Sequence, residues 1–328
     1  MPTMFDQQDQ QMNWKVTFLI IIGVLFVCVI VFGILSYRNI LDRNALETDT
    51  QIIKEVLGRT IEEVTTASQF IANYPLIQEW KLSPEMVNNH DILVALNTIK
   101  YMLNASIVYI MDTNGTVIVC TPYEDNKTLT GNNYKFRPYF QKAMEGNDYV
   151  YPALGVTTKE RGLYFSSPIY LKDSTKPVGV AVIKLGLDRF DIILKNYSNN
   201  IEAGLISPMG IVFSSTESSW LFKSSEKLSK EERNNIMASR QFADEKLEPL
   251  SVDLSGTRTK SNDKTYLLVK KNISIPGWQL YAMSLTSDLN PAPPFIMSGI
   301  LFLIFGVSYI ILAIVYGKEK PKLKKENQ

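Results

Sequence analysis

The 328-residue sequence predicts an α+β protein, with a long N-terminal helix and two similar lobes in series between two membrane-spanning helices. Three observations predict this class. Two long stretches lack charged residues, a helical pattern of apolar residues follows the first of them, and a strand–turn–strand arrangement occurs twice, about 95 residues apart. Antiparallel strands whose helices lie in separate segments are typical of the α+β class.

The two uncharged stretches are long enough to span a lipid bilayer. Residues 16–37 and 295–316 would each extend about 33 Å as a helix, against a hydrocarbon core of about 30 Å. A cleaved signal peptide is the alternative for the first stretch. Its apolar run exceeds the roughly 7–15 residues of such peptides, however, and no A-x-A cleavage site follows it. We therefore predict two membrane helices, at 16–37 and 293–316.

Charge and cysteine content predict the placement of the chain in the cell. Five lysines follow the second stretch, and positive residues accumulate on the cytoplasmic side of membrane helices. Both termini, 1–15 and 317–328, are therefore expected in the cytoplasm. The region between the spans contains one cysteine, Cys120, and so no internal disulfide. Because large exported eukaryotic domains usually contain disulfides, we predict a bacterial inner-membrane protein whose central region is periplasmic or extracellular.

The segment 38–73 has the pattern of an amphipathic helix. Its apolar residues recur at steps near three and four: Leu46, Ile53, Leu57, Ile61, Val64 and Ile71. Tyr74-Pro75 should end the helix, because a proline disfavours helix at the residue before it. The helix forms a stalk, alone or paired with that of a second chain, or it packs along both lobes; the sequence leaves both arrangements open.

Two lobes, 74–187 and 188–292, are predicted from the repeated strands. A hairpin at Asn114-Gly115, a pair that favours a type I′ turn, opens the first set, and one at 208–210 opens the second. Helices are predicted at 188–198 and 226–242. The predicted strands are 106–112, 116–121, 162–170 and 178–187 in the first lobe, and 202–207, 211–216, 265–271 and 278–285 in the second.

Residues 132–170 combine aromatic rings, cations and hydroxyl groups where a core strand would alternate cleanly. Arginine is a planar donor suited to carboxylates, and tyrosine, serine and threonine add hydroxyl donors. This mixture predicts a pocket for a small anion. The alternative is that the aromatics belong to the core and the arginines to a solvated face. The candidate ligand-binding residues are Tyr134, Arg137, Thr157, Thr158, Arg161, Tyr164 and Ser166.

The segments YKFRPYFQKAMEG and ALGVTTKERGLYFSSPI, within this stretch, resemble the ligand-binding domain of bacterial C4-dicarboxylate sensor histidine kinases, a double Cache (PAS-like) family. Weaker similarity extends over residues 106–284. The resemblance implies two tandem PAS-like lobes with the pocket in the membrane-distal one. Its binding positions correspond to Tyr134, Arg137, Thr158 and Lys184.

Lys184 lies in a strand whose alternation places it on one face with Val180 and Val182. From the sequence alone, a lysine that reaches solvent at a sheet edge is the preferred interpretation. The resemblance implies instead that Lys184 holds the second carboxylate of a diacid, opposite Arg137.

The leading hypothesis is a membrane receptor that binds a small carboxylate, best a C4-dicarboxylate, and signals across the membrane. No catalytic or metal motif is present, so we expect neither enzyme activity nor a cofactor. A nearly neutral outer region makes nucleic acid an unsuitable partner. Only 12 residues follow the second span, too few for a transmitter domain. The chain is then a separate sensor that acts as a homodimer or through a partner kinase or transporter, or it is a truncated kinase.

Two further hypotheses stay open. A Cache domain could bind an amino acid or amine, because fold does not determine ligand; an acidic side chain, of which Glu160 and Asp148 are nearest in sequence, would then meet the ammonium group. Alternatively, the chain is a structural envelope protein without a ligand, an interpretation that a closed pocket would favour.

Overall fold

The computed structural model describes residues 4–80, 90–198, 201–243, 245–261, 263–286, 299 and 303–311. The chain forms two compact units. One comprises Leu46–Leu285, and the other comprises Met1–Ala45 together with Thr286–Gln328. The first unit contains both sheets and is the part in which the predicted pocket lies.

A single helix, α1 (Met4–Ala72), covers the predicted first span and the predicted stalk. The six apolar positions predicted for its inner face are all buried, with 4% exposure or less. The helix ends two residues before Tyr74, as the following proline predicts. Within the described residues, one helix, at Ile21–Ile77, is long and apolar enough to cross a membrane.

The predicted second span, 293–316, and the basic tail lie mostly outside the described residues. Its described part, 303–311, is helical. Phe305 of this segment packs edge to face on Phe26 of α1, with 5.9 Å between the ring centroids.

Two five-stranded antiparallel sheets form the lobes, and their strand orders are equivalent: β2-β1-β5-β4-β3 and β7-β6-β10-β9-β8. The first sheet comprises β1 (Ile107–Asp112), β2 (Val117–Cys120), β3 (Tyr149–Leu154), β4 (Arg161–Ile169) and β5 (Gly179–Gly186). The second comprises β6 (Ile201–Ile206), β7 (Val212–Ser215), β8 (Arg258–Ser261), β9 (Lys264–Asn272) and β10 (Gln279–Leu285). The remaining helices are α2 (Pro75–Trp80), α3 (His90–Leu103), α4 (Pro138–Met144), α5 (Asp188–Tyr197) and α6 (Lys230–Ser239).

The α+β class and the repeated sheets are confirmed, but the sequence missed one strand in each lobe. Both missed strands, β3 and β8, lie at a sheet edge. Pro152 interrupts β3, and proline within a strand pattern argues against a strand unless it lies at an edge. The four residues of β8, Arg-Thr-Lys-Ser, lack apolar alternation. Neither segment carries the signal by which central strands are recognised.

The first hairpin does not have the predicted type I′ turn. That turn needs positive φ at two central residues, whereas in this hairpin only Gly115 has one, φ +80°. The side chain of Asp112 accepts the backbone N–H groups of Asn114 (2.9 Å) and Thr116 (2.8 Å). The carboxylate thus stabilises a longer turn, and the register of β1 and β2 shifts after Ile110.

The two lobes can be aligned through one repeated contact. The hydroxyl of Thr121 accepts the backbone N–H of Val108 at 3.0 Å, and that of Thr216 accepts the N–H of Ala203 at 2.9 Å. Each threonine directly follows the second strand of its sheet, so Val108 and Ala203 occupy equivalent positions.

The opposite faces of the first sheet have different neighbours. One face packs with α1 and α3 into a large apolar core that also includes residues of the second lobe. The other face, with Tyr109 and Val182, packs against α4 and forms a smaller cluster rich in tyrosine. The predicted pocket lies on this second face.

Candidate ligand-binding site

A small cavity lies among β1, β5, the start of α4 and the loop at residues 155–160. Six of the eight candidate residues line it: Tyr134, Arg137, Thr157, Thr158, Tyr164 and Lys184. Residues that are 50 positions apart in the sequence thus meet at one place. Tyr109 and Tyr139 also line the cavity and were not among the candidates.

Arg137 enters the cavity from the start of α4. Its backbone is extended (φ −78°, ψ 134°) and Pro138 begins the helix, a position where a missing N–H costs nothing. The side chain is 1% exposed. Its guanidinium donates to two carbonyl oxygens, of Leu154 at 3.0 Å and of Arg240 at 3.2 Å. Within the described residues no carboxylate forms an ion pair with Arg137, so a buried positive charge lacks a counter-ion.

Lys184 enters the cavity from β5, the central strand of the sheet, between Ile107 of β1 and Tyr164 of β4. It is 1% exposed. The interpretation that it reaches solvent at a sheet edge is therefore wrong, because no edge is within its reach. A Cβ at Gly162 would lie 3.0 Å from Lys184 Cε, so the glycine leaves room for the lysine stem.

The ammonium group of Lys184 has two partners, both from the loop at residues 155–160. It donates to Thr158 Oγ1 and to Glu160 Oε2, each at 2.8 Å. Of the two acids named in the amino-acid hypothesis, Glu160 thus contacts a residue of the site. Asp148 does not: it is exposed and accepts a hydrogen bond from Gln69 at 2.7 Å.

The tyrosines of the site form a connected layer. Tyr139 and Tyr164 stack in parallel with 5.1 Å between ring centroids, and Tyr109 donates to the Tyr139 hydroxyl at 2.8 Å. The Tyr134 hydroxyl lies 2.9 Å from Thr157 Oγ1. Burial raises the pKa of Tyr109, Tyr139 and Tyr164 above the usual value, although the charge of Arg137 opposes the rise for the last two. These hydroxyls stay protonated at neutral pH. Because Tyr109 donates its proton to Tyr139, the hydroxyls that can donate to an anion are those of Tyr139 and Tyr164.

The loop at residues 155–160 closes the cavity. The N–H of Gly155 donates to the Glu160 carbonyl and the N–H of Lys159 to the Gly155 carbonyl, each at 2.9 Å. A Cβ at Gly155 would lie 2.3 Å from Thr158 Oγ1, so this turn requires glycine. The volume of the cavity is ≈ 20 Å³, and one water needs about 10–15 Å³. In this conformation the cavity therefore has room for about one water molecule and not for a diacid.

Arg161 and Ser166 do not line the cavity. Arg161 instead joins the two lobes, with an ion pair to Asp191 at 2.6 Å and a hydrogen bond to the Phe213 carbonyl at 2.8 Å. The Ser166 hydroxyl lies 2.9 Å from the Tyr139 carbonyl oxygen and 3.1 Å from that of Tyr149, and its single proton serves one or is shared by both. Both side chains have structural partners, and we leave them out of the proposed site.

The equivalent place in the second lobe is filled. Because Val108 pairs with Ile183 and the equivalent Ala203 pairs with Ala282, Lys184 corresponds to Met283. Tyr281 occupies the space over Gly204, where a Cβ would lie 2.6 Å from its ring. Its hydroxyl bonds to that of Ser215 at 2.7 Å. In the second lobe, Met283 thus stands in place of the cation, and the ring of Tyr281 fills the space that is a cavity in the first lobe.

Among the described residues, no group of three or more histidine, cysteine, aspartate or glutamate side chains could hold a metal ion. The donors of the site are cations and hydroxyls, which suit an anionic organic ligand and not a metal.

No family model matches the chain. Two curated relatives are C4-dicarboxylate transport sensor proteins, both named DctB. That of Pseudomonas aeruginosa is 29% identical over 167 residues, which cover 51% of this chain and 27% of the relative. That of Rhizobium meliloti is 23% identical over 247 residues, which cover 72% of this chain and 39% of the relative. The match thus spans well under half the length of each relative.

Solved structures share the fold. The sensor domain of the Vibrio cholerae histidine kinase DctB superposes with a TM-score of 0.66 and 20% identity, covering 77% of this chain and 99% of that domain. The ligand-binding domain of the Campylobacter jejuni chemoreceptor Tlp3, in complex with L-valine, gives a TM-score of 0.51 and 20% identity, covering 76% and 96%. The relatives are sensors and receptors. Together the matches confirm the resemblance predicted from residues 134–169.

Proposed function

We propose, from the homology of this chain to the DctB sensor domain of C4-dicarboxylate sensor kinases, that it is a membrane-anchored receptor whose first lobe binds a C4-dicarboxylate. The observation that carries the proposal is the pair of cations in one cavity. Arg137 and Lys184 are each 1% exposed and enter from different elements. Two separate cations match the two carboxylates of a diacid, and binding would be signalled to another membrane protein or a second copy of the chain.

The small volume of the cavity favours the hypothesis of a structural protein, but its charges oppose that hypothesis. Burying a charge without a partner costs several kcal/mol. In an envelope protein without a ligand, apolar residues of similar volume would be neutral or stabilising at such positions. The second lobe has that solution, with Met283 at the position equivalent to Lys184. The retained arginine is therefore best explained by an anionic ligand.

Glu160 supports a second candidate, an amino acid. In that arrangement the ligand carboxylate would bind Arg137, while Glu160, 2.8 Å from Lys184, would turn to accept the ammonium group. The Tlp3 domain, which has this fold, was solved with L-valine. Glu160 is not among the lining residues, but its carboxylate pairs with Lys184, which does line the cavity. The two candidates therefore differ in the role of a single side chain.

Ligand-dependent stability of the full chain in nanodiscs distinguishes the candidates. Succinate, butyrate and L-valine would each be added to the protein, and thermal unfolding recorded. A ligand at 100 times its dissociation constant stabilises the folded state by about 2.7 kcal/mol, and 1 kcal/mol corresponds to about 2–4 °C in a protein of this size. We expect a rise of several degrees with succinate and none with the monoacid or the amino acid. If valine alone raises the melting temperature, the ligand is an amino acid and not a dicarboxylate.

Substitution of Arg137 tests the position of the site. Hydrogen bonds to charged groups contribute about 1.5–3 kcal/mol, so Arg137→Ala should weaken succinate binding roughly 10–150-fold by calorimetry. Arg137→Lys should not restore it, because an ammonium group lacks the planar fork. Arg189→Ala is the matched control, since Arg189 pairs with Glu63 at 3.2 Å outside the cavity. Unchanged affinity in both Arg137 variants would place the site elsewhere.

A further inference from the structure

The counter-ion of Lys184 belongs to the loop that closes the pocket. The lysine is 1% exposed, whereas the Glu160 side chain that pairs with it at 2.8 Å is 51% exposed. The cation is thus fixed in the sheet, while its anion can reach water by a small movement of the loop. Because Glu160 is half exposed, water can replace Lys184 as its partner, but the buried lysine needs an anion in its place. This pairing can therefore be exchanged for a pairing with another carboxylate.

The charges of the cavity are unequal without a ligand. Two cations, Arg137 and Lys184, line the cavity, and one carboxylate, that of Glu160, pairs with Lys184. A diacid brings two more negative charges, and with Glu160 in place three carboxylates would share two cations. Like charges in contact disfavour one another, so one carboxylate must leave. Glu160 is the one that can be solvated.

We propose that Glu160 is an internal substitute for the second carboxylate of the ligand: it occupies Lys184 in the absence of ligand and is displaced when a dicarboxylate binds. The inference rests on the proposed function and names the residue that regulates the site. It also gives a basis for selectivity. A monoacid bound to Arg137 has no second carboxylate that could displace Glu160 from Lys184, whereas a diacid has one.

The loop is held closed by two of its own hydrogen bonds, which join Gly155 to Glu160 and to Lys159. When Glu160 moves outward, both bonds are loosened. Val156 packs against the tyrosine-rich cluster, and among the described residues the side-chain hydrogen bonds of the loop to the rest of the lobe are three. Thr158 and Glu160 both accept from Lys184, and Thr157 bonds to Tyr134 at 2.9 Å. A ligand carboxylate on Lys184 replaces two of these three contacts at once.

The test compares succinate and butyrate binding to the full chain in nanodiscs, by calorimetry, for wild type and Glu160→Gln. Removing the internal anion should tighten succinate binding up to about fivefold, the factor equivalent to about 1 kcal/mol, and leave butyrate unchanged. Glu160→Asp keeps the charge and should stay close to wild type. Glu145→Gln is the matched control, because Glu145 pairs with Lys142 at 2.7 Å on the surface of the same lobe.

A second measurement uses the wild type alone, so it does not depend on the folding of a variant. Succinate should increase hydrogen exchange at the amides of Gly155 and Lys159 while protecting the strands around Lys184. If succinate binds equally to wild type and Glu160→Gln and protects the loop amides, the displacement is wrong and the proposed function stands. If valine binds wild type and is lost in Glu160→Gln, Glu160 holds an ammonium group and both proposals fail. Absence of succinate binding in every variant also overturns both.

Discussion

Arg137 performs two tasks with one guanidinium. Two of its donors are taken by carbonyl oxygens of different lobes, those of Leu154 and Arg240. An arginine has five N–H donors in a fixed plane, so enough remain for a carboxylate. The ring of Phe136 lies 5.4 Å from the centre of the guanidinium and 5.7 Å from that of Arg240. If the proposed ligand binds Arg137, it shares the guanidinium with the contact between the lobes.

Gly155 allows a residue-scale prediction about the loop. Alanine there would place its Cβ 2.3 Å from Thr158 Oγ1, so the loop or Thr158 must shift. Overpacking of this kind costs about 1–3 kcal/mol, and we expect Gly155→Ala to lower the melting temperature by several degrees. Adding Thr158→Ala removes the clash, so the double variant should be more stable than the sum of the single effects predicts.

Gly58→Ala provides the control for this substitution. Its new Cβ would lie 3.6 Å from the nearest atom, an ordinary contact, and alanine is the better residue inside a helix. This variant should be at least as stable as the wild type. If Gly155→Ala has the same melting temperature as the wild type, the loop accommodates a methyl group at this position without strain.

The candidate residues that could be predicted were those in local patterns. Tyr134, Arg137 and the two threonines stand out as polar groups in an aromatic stretch, and they do line the cavity. Arg161 stands in the same stretch, but as the first residue of β4 it turns to Asp191 of the next lobe. Contacts between lobes leave no local signal. Tyr109 could also have been predicted. Ile107 of β1 pairs with Lys184, and side chains alternate along a strand, so Tyr109 lies on the same face as Lys184.

At the scale of elements, α1 contributes a complete face to the core. Ile53 is fully buried, while Ile52 beside it is 42% exposed. Truncating a buried isoleucine costs about 2–5 kcal/mol, and truncating a surface one usually less than about 0.5 kcal/mol. We expect Ile53→Ala to lower unfolding stability strongly and Ile52→Ala to change it little, as measured by urea unfolding of the full chain in detergent. Equal losses would show that both faces of α1 are covered.

Element prediction succeeded for the long helix α1, whose inner face follows from the sequence because burial on one side imposes a period. The helices α2, α3 and α4 and the edge strands β3 and β8 were missed. All of these except α3 have seven residues or fewer, which give too little pattern. The positions of the edge strands depend on the sheets that they border. The helix α3 has 14 residues, and the helical spacing of its buried Ile92, Leu96 and Leu103 was overlooked.

The whole molecule should be sensitive to alkaline pH. Burial raises the pKa of four tyrosines in the first lobe, to about 12 for Tyr151, and likewise raises that of Tyr281 in the second. Unfolded tyrosines ionise near pH 10. Above that pH the unfolded chain binds fewer protons than the folded one, so stability, fully present below pH 10, falls as pH rises.

Urea unfolding between about pH 8 and pH 11 measures this dependence. Each of the five buried tyrosines with a raised pKa should remove on the order of 1 kcal/mol per pH unit above pH 10. Tyr164→Phe takes away one such group, and its stability should fall less steeply over the same range. A pH-independent unfolding free energy would mean that these hydroxyls ionise freely in the folded state.

The filled interior of the second lobe has a consequence for the stoichiometry of ligand binding. With Met283 and Tyr281 where the first lobe has a cation and a cavity, the proposed site has no equivalent among the described residues of the second lobe. Saturation of an isolated chain should then follow a simple hyperbola with a stoichiometry of one. A Hill coefficient above one would have to originate in contacts between chains, which makes the shape of the binding curve a direct report on oligomeric coupling.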